Sequence, residues 1–188
     1  MSDPWYQEVG GDEPLAQGDL VINCPVVTWT APGAFAIVDD ELSAETGVVA
    51  RDVIVMTQAC DLKQGKVTNV VLCPAFPLST YRTGWQAAQI GKGQKGNADE
   101  WKKFCKSVAS GYQWNLAMLN QCSDPKSEHR IVDFRDVHST PREIIEKVLA
   151  SRTTTRLRLK PPYREHLSQA FARFFMRVGL PVDVDVAW

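Results

Sequence analysis

The densest apolar patterning in the chain lies between Arg51 and Leu78. Two β-branched runs, Val53–Thr57 and Val67–Leu72, flank a polar turn containing Cys60, Asp61 and Gly65. Runs of this length and composition predict a pair of buried strands. Upstream, Gly18-Asp19 reads as a turn into a short strand ending at Ile22. Pro25 limits that strand, and Val26–Trp29 resumes it beyond a kink. Ala34–Val38 gives a further strand, whereas Asp39–Thr46 is acidic and turn-like, with Glu41–Glu45 able to form one helical turn. The acidic stretch Met1–Pro14, with Gly10-Gly11, is expected to begin a loose arm over residues 1–17.

After Pro77 the spacing changes from strand-like to helical. Tyr81–Ile90 predicts a short helix bearing Trp85, followed by the glycine–lysine loop Gly91–Asn97. Asp99–Ser107 predicts a helix with Trp101, Phe104, Cys105 and Val108 on one side, capped by Asn97 or Asp99. Tyr112–Leu119 is apolar enough for a strand or packed segment, Cys122–Arg130 is a charged loop, and Ile131–Phe134 is a short strand. Thr140, Pro141 and Glu143 form a capping-box start to a helix running to Ala150. Thr153–Leu159 alternates as a strand does. The chain then enters an amphipathic helix over residues 162–179, whose stripe includes Tyr163, Leu167, Phe171, Phe174 and Phe175. These elements predict an α+β class within a single domain, 1–188. Its centre over 18–78 is a small, strongly bent antiparallel sheet or SH3-like β-barrel, and 79–188 adds about three helices to it.

Composition narrows the function classes. A formal net charge of −1 gives no global case for nucleic acid, so any basic site must be local. Local basicity exists. Arg152, Arg156, Arg158, Lys160 and Arg164 form one group, in which Arg156 and Arg158 share a strand face and offer a row for phosphates or an acidic partner. Lys92, Lys95, Lys102, Lys103 and Lys106 form a second, near Trp85 and Trp101. No apolar run is long enough for a membrane span. The five cysteines include no CxxC pair, and with no signal peptide at the N-terminus the expectation is reduced thiols in the cytoplasm.

Two further chemistries are weighed. Cys60, in a turn just after a buried strand and beside Asp61, is placed as many nucleophiles are. Its base would have to be His129, His138 or His166. Cys60 and Cys73 with His129 or His138 contain zinc-ligand types, yet no pair stands two to four residues apart, so no metal or cofactor is assigned. The C-terminal aromatic stripe is read as core, with a partner groove or homodimer face as the alternative.

Three segments together carry a resemblance. Gly18-Asp19-Leu20-Val21, then Arg51 to Thr57, then Val70-Val71-Leu72-Cys73-Pro74 resembles the PemK/MazF family of small SH3-like barrels, which includes endoribonuclease toxins. The resemblance implies that Arg51 would neutralise a scissile phosphate and Thr57 would orient it. Asp52 stands where the family has Pro, and Cys73-Pro74-Ala75-Phe76 lacks the hydroxyl residues that follow that Pro. Binding is therefore placed ahead of cleavage. The expectation is a prokaryotic-type protein that binds RNA or single-stranded nucleic acid. The alternatives are a non-catalytic interaction or regulatory subunit with a protein partner and, more weakly, a cysteine-dependent hydrolase.

Overall fold

A computed structural model describes residues 5–29, 35–38, 41–44, 46–123 and 126–176. The chain opens with strands β1 (Tyr6–Val9), β2 (Leu20–Trp29), β3 (Phe35–Val38), β4 (Glu41–Ala44) and β5 (Thr46–Val55). A short helix, α1 (Ala59–Lys63), leads to β6 (Asn69–Pro77), then to helices α2 (Leu78–Gly91) and α3 (Ala98–Ala109). Strands β7 (Leu116–Leu119), β8 (Arg130–Asp133) and β9 (His138–Pro141) follow, and α4 (Arg142–Ala150), β10 (Arg156–Leu159) and α5 (Tyr163–Phe175) complete the described chain.

The main sheet has the order β2-β5-β6-β8-β7, with β9 also paired to β6. Each of these pairings is antiparallel. Val53, Val55, Val70 and Leu72 pack on one face with Val21, Cys24, Leu62 and Ile145. Ile54, Cys73 and Ala75 pack on the other with Phe134, Leu157, Leu159 and Leu167. Burial on both faces is the reason these strands read as continuous apolar runs. A third cluster, Trp101, Val108, Leu116 and Ile131, seats α3.

Pro74 shapes the sheet. The N–H of Val71 donates to Thr57 Oγ1 at 2.7 Å, and Val71 O accepts from Met56 N–H at 2.9 Å. Val71 therefore faces β5, and by alternation Leu72, Pro74 and Phe76 face the opposite edge. Pro74 has no N–H to offer there. At that point the pairing steps from Leu72↔His138 to Ala75↔Val132, and residues 134–137 loop out.

Four expectations are corrected. The sheet is antiparallel but not closed into a barrel, with β2 and β7 at its ends. The described residues contain five helices rather than three. The N-terminal segment is not a loose arm: β1 pairs with β10, Tyr6 and Leu15 are buried, and the Tyr6 hydroxyl donates to Asn120 O at 2.7 Å. Two apolar residues at the ends of β1 hold it down despite the acidic composition around them. Finally, Thr140 does not cap a helix. It is buried in β9 opposite Val70, so α4 starts at Arg142 behind Pro141 without a side-chain cap. The last helix is described from Tyr163 to Phe175, and residues 177–179 of the predicted span lie outside the described residues.

Candidate functional site

The predicted arginine row is internal. Gly18 adopts φ +83, and its carbonyl accepts from Leu159 N–H at 3.0 Å, which joins the β1–β10 ribbon to the start of β2. The next residue, Asp19, has no solvent exposure. Its Oδ2 accepts from Ala16 N–H at 3.0 Å, Arg156 Nε at 2.9 Å and Arg158 Nη2 at 3.0 Å, and its Oδ1 accepts from Arg158 Nε. The remaining Arg156 donors reach the carbonyls of Gly10, Glu13 and Pro14 at 2.5, 2.8 and 3.0 Å. This corrects the reading of Arg156 and Arg158 as an outward row: their donors are taken by a buried carboxylate and by N-terminal carbonyls. Arg164 pairs with its neighbour Glu165 at 2.5 Å, and the Lys160 N–H donates to Trp5 O at 2.8 Å. Arg152 differs, because its Nη1 and Nη2 donate to the neutral carbonyls of Ile22 and Asn23 at 2.6 and 2.9 Å.

Arg51 lies on β5 with its side chain 34% exposed and Nη1 2.8 Å from Asp136 Oδ2. Asp136 sits in the loop-out opposite Pro74, and its Oδ1 is 3.2 Å from His138 Nε2, without hydrogen-bond geometry. The loop-out thus gathers Arg51, Asp136 and His138, a grouping that sequence spacing did not suggest. Thr57 is not part of it. Its hydroxyl replaces a backbone acceptor for Val71, beyond the end of β5.

Cys60 is exposed on α1, with Sγ 3.6 Å from Gln58 Oε1 and 3.7 Å from Asp61 Oδ1. No hydrogen bond links it to a histidine among the described residues. Cys24 and Cys73 are buried. Burial pushes Cys24 up to about 11, and burial with the nearby Asp133 and Asp136 carboxylates pushes Cys73 up to about 12. Among the described residues, no three His, Cys, Asp or Glu side chains gather as metal ligands do.

A groove of about 700 Å³ runs between α2, α3 and the β7–β8 edge. Asn97 Oδ1 caps α3 by accepting from Glu100 N–H at 3.0 Å, which fixes the helix that carries Trp101 and Phe104. Tyr81 stacks on Phe104 with centroids 6.1 Å apart, Trp85 lies 5.5 Å from Phe104, and Trp101 lies beneath it at 5.5 Å. Tyr81, Trp85 and Phe104 are half-buried and line the groove with Lys92, Gln113 and Arg135. Asp133 holds Arg135 through two bonds, from Nε to Oδ1 at 2.9 Å and from Nη2 to Oδ2 at 2.6 Å, and these raise its pKa. Burial and the Asp133 carboxylate raise the Tyr81 phenol, which keeps it protonated and neutral. Arg82 sits 6.0 Å over the Trp101 ring from outside. Lys102, Lys103 and Lys106 are exposed on α3. Sequence proximity groups the lysines of 92–106 with Trp85 and Trp101, but not with Arg135 or Tyr81. Their only sequence signal was an aromatic residue one helical turn from Trp85 and a Phe-Arg-Asp turn after a strand.

The chain matches no known protein family, no curated protein and no solved structure.

Proposed function

We propose that this protein binds single-stranded nucleic acid in the groove between α2 and α3. The observation that supports this most is the shelf of half-buried Tyr81, Trp85 and Phe104 beside the free edge of Arg135. Aromatic faces stack any base, and flanking cations follow the phosphates, so such a groove binds strands with little sequence preference. Cations of this surface that have no carboxylate partner among the described residues, such as Lys92, supply the electrostatic part. Kinship to PemK/MazF barrels belongs to the same proposal. The Gly18-Asp19 segment, the Arg51 strand and the strand reaching Cys73-Pro74 lie side by side as β2-β5-β6, although the sheet stays open. Arg51, with Asp136 and His138, marks where any cleavage would occur. Binding is the function proposed.

A second reading, an interaction subunit, draws on one observation. Val27, Trp29 and Val48 are more than half exposed on the ribbon formed by the outer halves of β2 and β5.

The test is fluorescence anisotropy with labelled single-stranded RNA and DNA at low and physiological salt, with gel analysis for cleavage. Trp85→Ala is expected to weaken binding by about 1–3 kcal/mol, and Arg135→Ala to lower the salt slope. Binding unaffected by both substitutions would remove the groove from the proposal. No binding at all would favour the interaction reading.

A further inference from the structure

A second cavity, of about 290 Å³, lies away from the aromatic groove, where the start of β2 meets the end of α4, the start of β8 and β10. Four cationic side chains line it: Lys126, Arg130, Arg152 and Arg156. No carboxylate of the described residues does. At the rim, Glu8 accepts a hydrogen bond from Thr155. The opposite wall is apolar, made by Leu20, Ile22, Leu149 and Leu157.

The cations are not equivalent. Arg156 is neutralised by Asp19, and Arg130 donates from Nη1 to Asp52 at 2.7 Å and to Ala75 O at 2.8 Å. Both are thereby fixed in place with their side chains at most 10% exposed. Arg152 bonds only neutral carbonyls, and it grips the bulge where Asn23 adopts φ 49. Lys126 is exposed and has no ion pair among the described residues. Two charges on this cavity therefore lack a counter-charge from the described residues. A guanidinium held by backbone carbonyls keeps its Nε edge for an oxyanion, and the pre-set positions lower the ordering cost of binding.

We infer that this cavity is a binding site for a phosphomonoester that carries a flat or apolar body, of nucleoside monophosphate size. The phosphate would meet Arg152 and Lys126, and the body would lie on the Leu20–Leu157 wall. The volume admits one such unit and not a strand. The ligand is then either a free nucleotide or the phosphorylated end of a chain. This inference stands on the cavity alone and does not require the aromatic groove to bind.

The experiment is calorimetric titration of the full chain with inorganic phosphate, nucleosides and nucleoside 5′-monophosphates. It is followed by anisotropy with short oligonucleotides bearing either a 5′-phosphate or a 5′-hydroxyl. Monophosphates are expected to bind at least about tenfold more tightly than nucleosides. Thr154→Glu places a carboxylate at the rim, on an exposed residue whose side chain makes no hydrogen bond among the described residues. It is expected to weaken monophosphate binding by about tenfold or more while leaving the melting temperature of the unliganded protein unchanged. Lys126→Glu should do the same. A preference for 5′-phosphorylated oligonucleotides would identify a strand end as the source, and its absence a free nucleotide. Nucleosides binding as well as their monophosphates would overturn the inference, as would unchanged binding by Thr154→Glu. In either case Trp85→Ala would still report on the groove independently.

Discussion

Arg156 on β10 and Arg135 at the mouth of the α2–α3 groove each meet a carboxylate, yet the two pairs serve different ends. The Arg156 side chain is 5% exposed against an Asp19 that is fully buried, and its other donors end on backbone carbonyls. Arg135 is 59% exposed, and Asp133 orients it without enclosing it. A guanidinium with every nitrogen bonded inside the protein joins segments; one held along a single edge presents the other edge to a ligand. The first pair ties the N-terminal segment, β2 and β10 together, and the second equips a surface. Arg156 stands among Arg152, Arg158, Lys160 and Arg164 and Arg135 between Asp133 and Asp136, so a cationic stretch in the sequence does not say which arginine is presented to solvent. Burial does.

The strongest way to break this comparison is to remove Asp19. Asp19→Ala leaves two arginines buried without a counter-charge, so a loss of about 3–5 kcal/mol is expected in urea unfolding. A loss under about 1 kcal/mol would show that the cluster is not the tie described. Gly18→Ala comes next. The φ of +83 disfavours a side chain, and an added Cβ would stand 3.0 Å from Leu159 Cβ, so about 1–2 kcal/mol is expected.

The thiols extend the contrast between enclosed and presented groups. Cys24 and Cys73 have folded pKa values raised to about 11 and about 12, above the ordinary 9.0. Each keeps its stabilising contribution below pH 9.0, and that contribution is lost as pH rises from there through the folded values. Unfolding midpoints should therefore fall over that alkaline window, and a flat profile would contradict the burial of these thiols. Alkylation of the native protein near neutral pH, read by mass spectrometry, should mark Cys60 before either of them. Arg135→Ala leaves the Asp133 carboxylate, 11% exposed, with a single backbone N–H and should cost about 1–3 kcal/mol. The smallest effect on stability is expected for Arg51→Ala, whose pair with Asp136 is substantially exposed and should cost at most about 1 kcal/mol. Arg135→Ala should also weaken strand binding, whereas Arg51→Ala should leave it unchanged. A reversal of those two binding results would move the site from the groove to the loop-out.

Much of the fold was legible where one local rule governs a stretch. The Val53–Thr57 and Val67–Leu72 runs became β5 and β6 because both faces of those strands are buried. Of the two candidate caps, Asn97 and Asp99, it is Asn97 that caps α3. The misses share a cause. Tyr6–Val9 reads as part of a polar arm until its partner β10 is known, and Thr140 reads as a cap until β6 supplies a ladder for it. The Arg51–Asp136–His138 grouping depends on a loop-out that answers a proline on a different strand.

By itself, the sequence determined that strands β2, β5 and β6 carry the apolar load and that the α3 helix follows a capping side chain near Asn97. Those properties follow from periodicity and side-chain chemistry within a few residues of each position. Only the tertiary structure decided that Asp19 collects two arginines far along the chain, that Tyr81, Trp85 and Phe104 share a shelf with Arg135, and that Arg152 and Lys126 face one cavity. Whether a charge is satisfied or available depends on the partners that distant segments bring within hydrogen-bond reach, and chain order does not encode those distances locally.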